Sequence, residues 1–181
     1  MIGSVVSMSA NASPASSGWV RTIAVGLRFR PITDADLSFL YRVYASTRAA
    51  ELAPLPWSEE QKAAFLTQQF NAQHADYQRN YPVAERLVVL RGGEAIGRLY
   101  VERNAREHSV LDIALLPAHR GCGLGAAIMR DLQDEAGAAG KPLTIYVEKF
   151  NPAMHLYRRL GFQTVEDKGV YDLMRWSAAA T

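Results

Sequence analysis

Ile23, Val25, Leu27 and Phe29 alternate with Ala24, Gly26, Arg28 and Arg30, the period-two pattern of a strand with one buried face. Pro31 ends it. Thr33 with Asp36 three residues on has the form of a capping box and opens a helix through Leu37, Leu40, Tyr41 and Tyr44. After the break Ala53-Pro54-Leu55-Pro56, Ser58 and Gln61 form a second box, followed by the apolar stripe Leu66, Phe70 and Tyr77. Beyond Asn80-Tyr81-Pro82 the period returns to two. Residues 86–90 and 95–102 read as strands joined by the turn Arg91-Gly92-Gly93, and 109–116 as a third strand. A helix over 126–138 and a strand over 143–148 follow. Asn151 and Pro152 are an N-cap and a first-turn proline, and Gly161 is a C-terminal glycine, so 153–160 is a short helix. Residues 162–165 and 169–174 close as a hairpin. The order β-α-α-β-β-β-α-β-α-β-β describes a mixed sheet flanked by helices.

The chain has 181 residues, enough for one domain. Its composition is 49% hydrophobic and 21% charged, with a formal net charge of +2, so neither nucleic acid nor membrane is expected as a partner. One cysteine excludes an intrachain disulfide and a cysteine-rich metal site and points to the cytoplasm. The four histidines show no ligand spacing, so no metal is expected. Residues 1–18 are Ser/Ala-rich without charge and read as disordered; Met8 competes with Met1 as the start. The expected division is a tail over 1–19, one domain over 20–177 and a tail over 178–181.

The segment Leu115-Leu116-Pro117-Ala118-His119-Arg120-Gly121-Cys122-Gly123-Leu124-Gly125, running into Ala126, takes a strand through a glycine loop into a helix. Such a junction offers free backbone N–H groups and the positive end of a helix dipole to an anion, and a pyrophosphate is the natural guest. The plainer alternative is a turn whose glycines serve packing. A Walker loop would end in Gly-Lys-Ser/Thr, whereas Gly125 precedes Ala126-Ala127. A dinucleotide fingerprint would have an acid about 20 residues on, where Thr144-Ile145-Tyr146-Val147 stands.

Arg120-x-x-Gly123-x-Gly125 resembles the acyl-CoA pyrophosphate loop of the GNAT superfamily of N-acetyltransferases, and Asn151-Pro152-Ala153-x-x-Leu156-Tyr157-x-x-x-Gly161-Phe162 resembles that family's second hallmark segment. The resemblance covers about residues 22–176. It implies an α/β (α+β) fold: a mixed, mostly antiparallel sheet of six to seven strands, with splayed central parallel strands and about four flanking helices. It implies acetyl-CoA as cosubstrate, without metal. The cofactor would be held by Leu115, Leu116, Arg120, Gly121, Cys122, Gly123, Leu124, Gly125, Ala126, Asn151 and Tyr157. Tyr157 would serve the leaving thiolate and Asp112 would take the amine's proton, with Glu148 in reserve. Arg48, Glu51 and Gln73 are acceptor-side candidates, Glu51 for a cationic amine and Arg48 for a carboxylate. The acceptor it implies is a primary amine of an unidentified small molecule, peptide or protein, and the resemblance allows a homodimer. Two alternatives stand beside this: a non-catalytic acyl-CoA-binding or sensor module, and an acyltransferase using a longer acyl chain or a hydroxyl acceptor.

Overall fold

The computed structural model describes residues 18–178; most of the expected N-terminal tail and nearly all of the C-terminal one lie outside the described residues. Seven strands form one sheet: β1 (Leu27–Pro31), β2 (Glu85–Arg91), β3 (Glu94–Arg103), β4 (His108–Leu115), β5 (Leu143–Glu148), β6 (Gln163–Lys168) and β7 (Tyr171–Trp176), in the order β1-β2-β3-β4-β5-β7-β6. Every neighbouring pair is antiparallel except β4 and β5. Five helices cover it: α1 (Val20–Ala24), α2 (Leu37–Leu52), α3 (Glu59–Asn80), α4 (Leu124–Ala138) and α5 (Met154–Arg159).

Two hydrophobic clusters separate the faces of the sheet. On one, α4 and α5 supply Leu124, Ile128, Met129, Leu132 and Tyr157 against Leu99, Val110, Ile145 and Val147. On the other, α2 and α3 supply Leu40, Val43, Tyr44 and Phe70 against Val88 and Ala114. Alternation along each strand keeps the sets apart. In β4 the register slips opposite Tyr100/Val101, which lets Val110 and Ile113 face the α4 side while Asp112 and Ala114 face the α3 side.

The capping boxes hold. Thr33 N–H donates to Asp36 Oδ2 at 2.8 Å, and a single 3-10 turn, Asp34–Asp36, leads into α2. Ser58 Oγ accepts from Gln61 N–H while Gln61 Oε1 accepts from Ser58 N–H. Asn151 Oδ1 accepts from Ala153 N–H at 2.9 Å, so it caps its segment although regular helix begins at Met154.

Three expectations are corrected. The strand through Ile23 starts only at Leu27, and Val20–Ala24 is helical. Asp131 on α4 accepts from the backbone N–H groups of Arg21 and Thr22, capping α1 from another element, and Gly26 at φ +78° turns the chain into β1. Ile23 and Val25 are therefore exposed. Trp19, assigned to the tail by sequence, is buried at 2%, packs edge-on against Phe29 and donates Nε1–H to Glu135. The closing hairpin is also longer and displaced: β6 and β7 run to Lys168 and Trp176.

Candidate active site

β4 and β5 pair at only three positions, His108 with Leu143, Ser109 with Thr144 and Val110 with Ile145. Ser109 and Thr144 hydroxyls, 2.9 Å apart, fasten that closed end. From Leu111 and Tyr146 onward the strands part. A parallel pair that stops pairing leaves backbone donors and acceptors facing a gap. Leu116 N–H donates to Ile96 across the β3 side, so the adjacent Leu115 peptide groups face the gap instead.

At the mouth of the gap a 3-10 turn, Pro117–His119, leads into the glycine loop. Gly121 and Gly123 have φ of +74° and +84°, the left-handed region open to glycine at little cost. Gly123 is the N-cap of α4 and offers no capping side chain. The N–H groups of Leu124, Gly125 and Ala126 therefore lack an intrahelical acceptor, the first such bond running from Ala127 to the Gly123 carbonyl. Gly125 has a different task from its neighbours: it lies in regular helix, and a Cβ there would sit 3.7 Å from Leu156 on α5. Cys122 is exposed, with its thiol on the His119 carbonyl. Arg120 lies beside the loop, but its Nε donates to the Leu115 carbonyl at 2.7 Å and its Nη2 to Ser46 Oγ at 2.8 Å. Its guanidinium ties the end of β4 to α2.

Tyr157 projects from α5 into the core, 5% exposed and edge-on to Phe162. Burial, and secondly the charge of Asp112, push its phenol well above the usual tyrosine range, so it is a neutral hydrogen-bond donor at any physiological pH. Asp112 itself is held from the α3 side: Arg98 Nη2 donates to its Oδ2 at 2.6 Å and Tyr77 OH at 3.4 Å. Both bonds fall on Oδ2. Arg98 is 3% exposed, also donates to Gln73 Oε1 at 2.9 Å, and lies over the Tyr44 and Tyr100 rings. Gln73 thus faces inward to Arg98. Arg98 and Tyr77 were missed by sequence reasoning, although Gly97-Arg98-Leu99-Tyr100 puts an arginine and a tyrosine in phase on one face.

Glu148, the last residue of β5, faces the α2 side, since Ile145 and Val147 point to the α4 core. Its Oε1 accepts from Arg48 Nη1 and from Tyr171 OH, both at 3.2 Å. The same Nη1 donates to Glu51 Oε1 and Oε2 at 2.8 and 3.1 Å. Arg48, Glu51 and Glu148 therefore meet, while Gln73 belongs to the Arg98 cluster. Among the described residues no group of three or more His, Cys, Asp or Glu is arranged to hold a metal, and no helix is long and apolar enough to cross a membrane.

Residues 83–164 match the family model described as an acetyltransferase (GNAT) domain; the match takes in Asp112, the glycine loop, Asn151 and Tyr157, and leaves out Arg48, Glu51 and Gln73. Mycothiol acetyltransferase of Corynebacterium glutamicum (strain R) is 30% identical over 119 residues, 64% of this chain and 40% of that protein. Streptothricin acetyltransferase of Streptomyces lavendulae is 43% identical over 56 residues, 30% of each chain. The chain thus spans well under half the length of these relatives. Among solved structures, the PaiA N-acetyltransferase of Thermoplasma acidophilum in complex with coenzyme A has a TM-score of 0.64 at 18% identity, over 84% of this chain and 99% of that one. The ribosomal-protein-S18-alanine N-acetyltransferase of Escherichia coli has a TM-score of 0.58 at 19% identity, over 86% and 96%.

Proposed function

We propose that this chain, which has the GNAT fold and carries a GNAT acetyltransferase domain, transfers an acetyl group from acetyl-CoA to a primary amine. The observation that carries the reading is the unpaired stretch between β4 and β5, which begins past Val110, contains Asp112 and runs on toward the glycine loop. The donor set suits the cosubstrate. Open N–H groups at Leu124, Gly125 and Ala126, preceded by two left-handed glycines, suit a pyrophosphate, and the strand-edge N–H of Leu115, whose carbonyl is taken by Arg120, suits a pantetheine carbonyl. Arg120 acts by fixing the Leu115 carbonyl and α2, adding positive charge near the phosphates.

Acetyl-CoA supplies the thioester: the amine nitrogen forms a bond to the carbonyl carbon, the C–S bond breaks, coenzyme A leaves as thiolate, and the second proton that the nitrogen sheds on becoming an amide passes to that thiolate through water. Tyr157 donates a hydrogen bond to the sulfur. A neutral phenol above its ordinary pKa of about 10 is a weak acid toward a thiolate near 8.5, so it stabilises the leaving charge more than it protonates it. An alkylammonium must lose a proton before attack. Asp112 Oδ1, which takes no hydrogen bond from the described residues while Oδ2 holds Arg98 and Tyr77, is the oxygen we assign to receive that proton through water. The reducing cytoplasm suits a chain with one exposed cysteine.

Two measurements test the reading. Isothermal calorimetry should give saturable binding of acetyl-CoA, and thiol release should appear with acetyl-CoA plus amines and stay at background without them. Binding without amine-dependent release would favour the sensor-module alternative. No binding by folded protein would end both readings.

A further inference from the structure

We propose that Arg98 and Gln73 are positioning residues of the transfer, which hold Asp112 by one oxygen and leave the other for the amine's proton; this deepens the acetyltransferase reading and rests on it. Two arginine–aspartate pairs in this chain have opposite geometries. Arg30 grips Asp36 with both Nη groups, one on each carboxylate oxygen, at 2.8 and 2.7 Å. Asp36 Oδ2 also accepts from Thr33 N–H, so that fork is a structural clamp with both oxygens in use. Arg98 meets Asp112 end-on. One nitrogen, Nη2, donates to one oxygen, Oδ2, at 2.6 Å, and the same nitrogen donates to Gln73 Oε1 at 2.9 Å. Tyr77 adds its bond to the same Oδ2. Everything that holds this carboxylate falls on one oxygen, as a proton acceptor needs and a clamp does not.

As a support for the fold the arrangement is costly. Arg98 is 3% exposed and its Nε is buried without an acceptor, a penalty that apolar side chains of similar volume would avoid. A guanidinium Nη has two hydrogens, and those of Nη2 go to Asp112 and Gln73. Gln73, reaching in from α3, thereby fixes the guanidinium in the end-on pose and keeps its fork off Asp112. Among the described residues Arg98 is the cation bonded to Asp112. The other ionisable groups that sense the Asp112 charge are Tyr100 on β3, Tyr77 on α3 and Tyr157 on α5, phenols that burial keeps protonated. One step further out, Tyr44 of α2 and His74 of α3 stand by Arg98, and Arg86 of β2 acts on Tyr100.

The test reads Asp112 and the reaction it serves. The full chain, carrying carbon-13 in its aspartate carboxyl groups and bound to coenzyme A, is titrated by NMR; the Asp112 signal is the one lost in Asp112→Asn. Gln73→Glu, a near-isosteric change at a half-buried residue, sets a second carboxylate on Arg98 Nη2 and should raise the Asp112 midpoint by about one pH unit. Arg98→Gln should raise it by about one to three units. Arg98→Lys keeps the charge and loses the planar geometry, so kcat should fall while the midpoint stays within about half a unit. In thiol-release assays with acetyl-CoA and a panel of primary alkylamines, the acid limb of kcat should move with the midpoint. Activity that Gln73→Glu loses at pH 6.5 should return at pH 8.5, whereas a merely structural fault would lower kcat at both. A midpoint unmoved by Gln73→Glu, or a moved midpoint with an unmoved acid limb, overturns the inference, and amine-dependent release then leaves the acetyltransferase reading standing. Failure of acetyl-CoA to bind, or of every amine to release thiol, removes both.

Discussion

Tyr157 and its phenyl counterpart differ by one oxygen in a site that is 5% exposed, which makes that position a clean probe. Tyr157→Phe should lower kcat about 10- to 100-fold, while acetyl-CoA affinity by calorimetry stays within about threefold, because the hydrogen bond matters most once charge develops on sulfur. Equal kcat with saturating amine would take Tyr157 out of the reaction. The glycines sort by what a Cβ would meet. At Gly97 it would lie 2.6 Å from Leu115 Cδ2 and closer still to the Ala114 carbonyl oxygen, so Gly97→Ala should cost about 1–3 kcal/mol by overpacking between β3 and β4, read as a lower urea midpoint. At Gly125 the nearest atom is 3.7 Å away, an ordinary contact, and alanine improves helix propensity by up to about 1 kcal/mol. Gly125→Ala should therefore keep or raise stability. If it also loses acetyl-CoA binding, the loss is the methyl group's intrusion on the ligand and not a folding defect.

Local chemistry made most elements readable, and its reach marks where reading stopped. Ser58 with Gln61, Thr33 with Asp36, the Gly92-Gly93 turn and the glycine loop each fix their own backbone within a few residues. α1 is different: the acceptor for its N–H groups is Asp131, more than a hundred residues away, so its alternating pattern mimicked a strand. The Arg98–Asp112 pair and the Arg120–Ser46 tie were hidden for the same reason, since strand pairing creates the first and the docking of α2 the second. The Thr33 junction gives an element-scale prediction. Arg30 grips both oxygens of Asp36, at 2.7 and 2.8 Å, and with Thr33 holds its carboxyl down at about 2. A lowered carboxyl contributes stability above its unfolded value near 3.8 and loses it as pH falls from there through about 2. The contribution at neutral pH is about 2 kcal/mol. Asp36→Asn should forfeit that amount at pH 7 and flatten the stability profile between pH 4 and 2 in denaturant titrations.

One part of the sheet's buried polar chemistry, Arg98 with Asp112 and Tyr77, lies where β4 leaves β5, and that placement has an alkaline cost. Tyr77 donates to the Leu111 carbonyl at 3.1 Å and stands against Asp112, while Tyr157 is buried on the α5 side. In both, burial first and Asp112 second push the phenol above its ordinary value of 10. The folded protein therefore keeps protons that the unfolded chain releases, so these groups stabilise the fold fully below pH 10 and lose that contribution as pH rises beyond it. Each raised phenol steepens the fall by up to about 1.4 kcal/mol per pH unit. Urea midpoints at pH 8, 10 and 11 should decline, with the steep part above 10. Tyr77→Phe should start lower, by about 1 kcal/mol for the lost hydrogen bonds, yet decline less steeply because one coupled proton is gone. Parallel declines in the two proteins would mean that Tyr77 is solvated in the folded state, and would place the coupling to Asp112 on Tyr157 alone.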